Sequence, residues 1–463
     1  MRKKSRKILT GIGLVVLVLG AVYTVGLARS AARLRRAYAA LEANGRPMDA
    51  SEVIPPEVPD TQNAAVLYES AALMLKAQPA PQKNLLEYLG DLSRKLSRDS
   101  LAANEVTELK ARMDQPVVAY ALQAVLQAVK RPTCRFDRDY NGGMELEVPA
   151  LPDARNLAFI LGAKARFEAR AGHMDAAWDT ALAQLRFADS LRGDPTQTAQ
   201  YTHFGITNHA CRVIQWLCEM QPPEEEHYAI LDDALRRVDD LEPLIRALDA
   251  ERLLIGEWLF HLSRRELNRV LQEEMASKDN YMPEGIRAAL YKLQFTVTAF
   301  RPRLIADHAA YLEMMNKRVQ LLREPYQDRQ AYGRNLAGSA WNLLTHRVAL
   351  GSGFEKDIYC RSLVAPRLTR AGLALVRYRQ VHGMLPKTLD RLTVEGLTDP
   401  FTNTPLHYRG ENEGFIVYSV GEDQKDNGGR PMPKRDEIDP HRRPVEYDLA
   451  WRYPSRDAVT SGY

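Results

Sequence analysis

The sequence predicts a mainly α-helical chain with an N-terminal transmembrane helix, a helical hairpin or bundle body, and a small C-terminal α+β unit built on an antiparallel sheet. Three observations predict it. Ile8–Ala28 carries no charged residue. Most of the body repeats its apolar residues at helical spacing. Turn chemistry with short β-prone runs is concentrated after Gly383. With 463 residues, 45% hydrophobic and 26% charged, the chain has material for a sizeable core and two or three domains, and it lacks the composition of a disordered protein.

Ile8–Ala28 is rich in Leu, Val, Ile, Ala and Gly, with Thr10, Tyr23 and Thr24 as its polar interruptions. At about 1.5 Å per helical residue it spans a hydrocarbon core of roughly 30 Å. The apolar part of a cleaved signal peptide is usually about 7 to 15 residues. Here the helical pattern continues through Arg29-Ser30-Ala31-Ala32-Arg33-Leu34, so the expectation is an uncleaved anchor that places residues 8–28 in a membrane.

Arg2, Lys3, Lys4, Arg6 and Lys7 crowd the front of the span, and Arg29, Arg33, Arg35 and Arg36 follow it more sparsely. The denser side points to a cytoplasmic N-terminus and a single-pass protein of the inner (cytoplasmic) membrane with an extracytoplasmic body. All these positives precede the first acid, Glu42. The chain as a whole has 63 Lys plus Arg against 59 Asp plus Glu, so the body beyond is mildly acidic. It offers no basic footprint for nucleic acid.

Residues 1–36 thus read as basic tail and anchor. Gly45, Pro47, Pro55, Pro56 and Pro59 mark 37–59 as a linker. Residues 60–350 read as a helical domain, 357–429 as an α+β domain and 430–463 as an extended tail. Asp60 or Thr61 is expected to cap a helix through Lys76, with Ala65, Tyr68 and Ala72 on one face.

Asp153–Gly193 reads as two amphipathic helices joined at Gly172. The run from Ala165 to Trp178 resembles a tetratricopeptide-type hairpin, with small residues at the crossing and then Gly-x-x-Asp-Ala-Ala. No 34-residue period accompanies it, so a solenoid and an irregular bundle both stay open. Further helices are expected at Glu284–Phe300, Leu304–Arg323 and Arg329–Leu350. The Cys134-x-Phe136-Asp137 loop and the Arg155-Asn156-Leu157-Ala158 helix resemble a group of bacterial membrane-anchored helical proteins, which implies architecture and no activity.

Near the C-terminus Leu368, Ala371, Leu375 and Tyr378 repeat at helical spacing, and Gly383 with Pro386 beyond it stops the helix near His382. Asp399-Pro400 and Asn403 supply turn chemistry. Leu406–Tyr408 and Phe415–Val420 read as strands separated by Gly410 to Gly414, and Tyr447–Trp451 is a strand-like run that could complete the sheet. The order Gly383-x-x-Pro386, Asp399-Pro400-Phe401, Leu406-x-Tyr408, Tyr418-Ser419-x-Gly421 and Asp423 resembles the globular end of type II secretion major pseudopilins over residues 371–429. That resemblance implies a helix leading into a small sheet, a calcium-binding loop after Tyr-Ser-x-Gly, and work near a secretion or pilus-like assembly. The front of the chain departs from the family. The nearest imitation of its cleavage site is Gly11-Ile12, and Val16 stands where a pseudopilin needs Glu. An ordinary pilus subunit is therefore not expected.

Chemistry-bearing motifs are few. Cys134, Cys211, Cys218 and Cys360 are too few for a disulfide scaffold. Cys211 and Cys218 lie about 10 Å apart along one helix and cannot bridge, while a Cys134–Cys360 pair stays open. His203 and His209 fall on different helix faces and suit core or surface roles. Arg264-Arg265-Glu266 and Glu224 to His227 read as solvated faces. Gly-x-Ser-x-Gly, phosphate-loop and His-Glu-x-x-His patterns do not occur, and Gly351-Ser352-Gly353 reads as a helix break.

One candidate metal site remains. Asp423, Asp426 and Asn427 crowd hard oxygen ligands before Gly428-Gly429, as calcium prefers, with Asp436 or Asp439 as further ligands. The plainer reading is a polar turn. The expected function is a non-enzymatic envelope scaffold that offers helical grooves and a sheet edge to a protein partner. The alternative is a hydrolase of envelope polymers with an acid pair in a helical groove, since spacing is silent on carboxylates that meet only in the fold.

Overall fold

The computed structural model describes residues 2–98, 100–143, 146, 148, 150–263, 265–267, 269–270, 300–326, 344–345, 355–411, 413–430 and 447–454, with side chains from residue 11 onward. It is mainly helical, with one long apolar N-terminal helix and a small antiparallel sheet.

Helix α1 runs unbroken from Arg2 to Ala43. From Gly11 to Val25 it is bare: Ile12, Leu14 to Leu19, Val22 and Val25 face outward, Leu17 at 72% exposure. One face of its last turns is buried, Leu41 at 1%, in a core shared with Leu312, Met315 and Val319 of a later helix. Residues 37–43, expected in the linker, are thus helical and part of a core. The reason is legible in the residues, because Leu34, Ala37, Tyr38 and Leu41 continue one apolar stripe at i, i+3, i+4 and i+7. The break comes at Asn44-Gly45.

The body opens with α2 (Ala64–Lys76), on which Ala65, Tyr68 and Ala72 are buried as expected. Its cap is Asn63, whose Oδ1 accepts from the Ala65 amide at 3.1 Å, rather than Asp60 or Thr61. A two-strand ribbon, β1 (Pro79–Ala80) and β2 (Lys83–Asn84), leads into α3 (Leu85–Leu96), α4 (Ala103–Met113) and α5 (Pro116–Ala128). Helices α6 (Ala150–Arg170) and α7 (Met174–Ser190) pack together across Gly172, with Trp178, Ala181, Leu185 and Ala188 buried. Then come α8 (Gln197–Met220) and α9 (Glu225–Arg237).

Helix α10 (Glu242–Ala250) widens into a π-helical turn, Glu251–Glu257, and continues as α11 (Trp258–His261). Helix α12 (Arg301–Arg323) packs along the end of α1, and α13 (Glu355–His382) closes the helical set. It stops at Gly383, which takes the left-handed conformation (φ 73°) that ends a helix most readily when no Cβ is present.

Strands β3 (His407–Gly410), β4 (Phe415–Ser419) and β5 (Leu449–Tyr453) form an antiparallel sheet in that order, with Tyr408 opposite Val417 and Val417 opposite Trp451. Residues 449–453, placed by the sequence reading in an extended tail, are therefore an edge strand of the sheet. The sheet is not separate from the body either. Phe415, Val417 and Trp451 share a core with Leu368, Ala371 and Leu375 of α13 and with Trp178 and Val213 of α7 and α8. The expected helices Glu284–Phe300 and Arg329–Leu350 lie almost wholly outside the described residues, as do Arg264 and Gly351 to Gly353.

Candidate functional site

The densest polar construction lies where α1 meets the body. Arg252 and Glu257 are five residues apart, a spacing that an α-helix would place on different faces. The π-turn carries them together, and they form a buried ion pair. Around them, Arg46 Nε donates to Asp249 Oδ1 at 3.1 Å, the Arg252 guanidinium donates to the Pro47 carbonyl, and Tyr38 donates to Glu257 Oε2 at 2.8 Å. The last turns of the span helix and the segment after it are thus gripped by the π-turn. Arg33 adds a bidentate bridge to Glu313 of α12, at 2.9 and 2.6 Å, on the surface. Burial raises the Asp249 carboxyl, and Arg46 and Arg252 oppose that rise.

A second buried set joins three helices. Arg318 of α12 pairs with Glu355 of α13 and lies 3.5 Å from Glu251 of the π-turn. Burial works against the Arg318 charge, but Glu251 and Glu355 more than offset it and the pKa is raised. Burial raises Glu251 as well, and its Oε2 is buried without a hydrogen-bond partner. The Glu251 and Arg318 side chains line a cavity of about 320 Å³ whose walls include Tyr201, Thr196, Leu254 and Ile255. A mostly apolar cavity with a few convergent polar groups is the common form of a small-ligand site. No spacing rule could have found these groups, since Arg46 and Asp249, or Arg318 and Glu355, meet only after folding.

The C-terminal loop is a web of hydrogen bonds. Asp426 Oδ1 accepts from the Tyr418 hydroxyl at 3.0 Å and from the Gly428 amide at 2.8 Å, and its other oxygen lies 3.4 Å from His407 Nδ1. Asp423 accepts from the Lys425 amide, and the Asn427 side-chain amide donates to the Lys425 carbonyl. The organising acid is Asp448, just before β5, which accepts from the Asn427 and Gly429 amides. Among the described residues no three His, Cys, Asp or Glu side chains converge as metal ligands. Asp423, Asp426 and Asn427 are thus joined in a hydrogen-bonded turn. Asp436 and Asp439 lie outside the described residues.

A carboxylate that the sequence reading treated as turn chemistry proves central. Asp399 is fully buried and accepts from the Phe401 amide, the Ser419 hydroxyl and the Val420 amide, each at 2.9 Å. It fastens the Asp399-Pro400-Phe401 turn to the end of β4.

All four cysteines are free. Burial pushes Cys211 and Cys360 up to about 12, so neither is a ready nucleophile. His203 and His209 are core residues: His203 Nδ1 lies 2.8 Å from the Ala188 carbonyl, and His209 Nδ1 lies 2.7 Å from Gln184 Nε2. Comparison with protein-family models, with curated proteins and with solved structures gives no match for this chain.

Proposed function

We propose that this is a single-pass inner-membrane protein whose extracytoplasmic body is a non-enzymatic scaffold for a protein partner. One observation carries the reading: α1 is a single rod, apolar and bare from Gly11 to Val25, its last turns locked into the body by Leu41, Tyr38 and the charges that follow them. A bare apolar rod of this length suits a bilayer. The unbroken passage into the core transmits the position of the span to the body, which a flexible tether would not do.

A binding role also agrees with the buried carboxylates. Glu251 and Glu355 are the acid pair that a hydrolase reading would need, and a single arginine lies between them and engages both. The α6–α7 pair supplies the tetratricopeptide-like part of the proposal. The α13–sheet unit supplies the pseudopilin-like part and, with it, an assembly role near a secretion or pilus-like machine. Asp399 supports that second part by giving a physical reason for Asp-Pro-Phe and Tyr-Ser-x-Gly to occur together.

The test is topological. In right-side-out spheroplasts with tags at both ends, protease should remove the body and spare the N-terminal tag, and alkaline carbonate should leave the full chain in the membrane. A mature protein lacking residues 1–28, or a body protected from external protease, overturns the reading. Crosslinked capture that repeatedly returns no envelope or secretion component removes the assembly role.

A further inference from the structure

Helices α1 and α12 run in the same direction, because Tyr23 meets Phe300 and Asn44 donates to Asn316. Tyr23 and Phe300 form an edge contact with ring centroids 5.5 Å apart, and Gly26 lies close to Pro302. The start of α12 is therefore level with the last turn of the uncharged run, which ends at Ala28. Phe300 is 50% exposed at that level.

Aromatic rings at the end of a span belong to the headgroup region. Around them stands a group of cations. Arg29 is exposed, and it sits three residues from Gly26 and four from Arg33, both of which touch α12, so it flanks that contact stripe. Arg301 is exposed at the first turn of α12. Arg303 is half-buried, and its Nε and Nη2 are buried without a hydrogen-bond partner. Among the described residues, Glu313 holds Arg33, and Asp307, whose charge Arg303 favours from nearby, accepts from the Leu344 and Thr345 amides. Among the described residues these three guanidinium groups have no carboxylate hydrogen-bonded to them, which leaves room for an anion.

We propose that Arg29, Arg301 and Arg303, beside Tyr23 and Phe300, form a binding site for the phosphate headgroup of an anionic phospholipid where α1 leaves the bilayer. The proposal rests on the reading of α1 as a membrane span. Continuity with the bare apolar face of α1 favours a lipid over a soluble anion, since the acyl chains would lie along Leu19, Val22 and Val25 while the headgroup meets the arginines. Arg303 would satisfy its open nitrogens by turning outward to a phosphate oxygen.

The test uses the full chain reconstituted in phosphatidylcholine vesicles containing phosphatidylglycerol, then extracted in mild detergent, with retained lipid read by native mass spectrometry. The double variant Arg29→Gln/Arg301→Gln removes two exposed charges without touching the core, and Arg35→Gln removes an exposed charge elsewhere on α1. Each arginine near an anionic surface should be worth about a fivefold preference, so the double variant should lose on the order of 25-fold enrichment of phosphatidylglycerol. Arg35→Gln should retain it. Equal enrichment in wild type and double variant overturns the site. Displacement of the lipid by inorganic phosphate, and not by chloride at matched ionic strength, overturns the lipid as occupant and leaves free phosphate. If carbonate strips the wild-type chain from the vesicles, the span reading itself has failed, and that outcome is read before any lipid is counted.

Discussion

Gly372 of α13 lies so close to the Trp451 ring of β5 that a Cβ at position 372 would overlap the indole. The sheet is seated on the helix through this contact, with Phe415 edge-on to the same indole at a centroid distance of 5.7 Å. Gly372→Ala forces the ring or the strand to move, and overpacking of this kind costs about 1–3 kcal/mol. Thermal denaturation of the full chain should show that loss. A variant as stable as wild type would mean that β5 is not held against α13.

Asp399 should be equally sensitive. Asp399→Asn keeps the volume but turns one acceptor into a donor aimed at N–H and O–H groups that already donate. Leaving such buried groups unsatisfied costs about 1–3 kcal/mol. The loss should be local before it is global: hydrogen exchange at the Val420 amide should accelerate more than exchange in α2. Unchanged protection at Val420 would show that the Asp-Pro-Phe turn does not hold the end of β4.

These two contacts mark the limit of what the residues reveal in order. The end of α13 was legible, because a helical stripe, Gly383 and Pro386 act locally and agree. The strands near Tyr408 and Val417 were legible for the same reason. The buried end of α1 was hidden by Gly45 and Pro47, which drew the linker too early even though Leu41 continues the stripe. The order of the C-terminal loop was hidden, because Asp426 Oδ1 accepts from Tyr418 and Gly428, and Asp448, the acid that orders the loop, lies 21 residues beyond Asn427. The π-turn left no local signal, since its charge pairing depends on Arg46, Pro47 and Tyr38 arriving from far away.

His203 should make the body sensitive to mild acid. Burial lowers its pKa from 6.5 to about 4, while the unfolded chain keeps the ordinary value. Between those values the unfolded state binds the proton and the folded state refuses it. The neutral histidine's contribution is therefore complete above about pH 6.5 and falls as pH drops toward 4. At about 1.4 kcal/mol per pH unit, pH 5 should cost about 2 kcal/mol. The raised carboxyls of Asp249, Glu251 and Asp307 act in the opposite direction. The informative quantity is thus the difference between wild type and His203→Gln in chemical denaturation across pH 7 to 5. A difference that does not change with pH removes His203 as the source.

Arg318 offers the sharpest test of the joint between α10, α12 and α13. Its guanidinium is buried between Glu251 and Glu355, so Arg318→Met leaves two carboxylates in the interior without their shared cation. Removing one partner of a buried ion set commonly costs about 3–5 kcal/mol, whereas replacing the whole set by neutral groups of similar size is often close to neutral. The triple variant Arg318→Met/Glu251→Gln/Glu355→Gln should therefore recover most of the stability that the single variant loses, as measured by urea denaturation at neutral pH. The comparison also bears on function. If the triple variant folds, binds its partner and stays in the membrane like wild type, the acid pair is structural. If it folds normally but loses a biochemical activity that wild type shows, the cavity beside Tyr201 is a reaction site, and Glu251, with its raised pKa, becomes the group through which the proton moves.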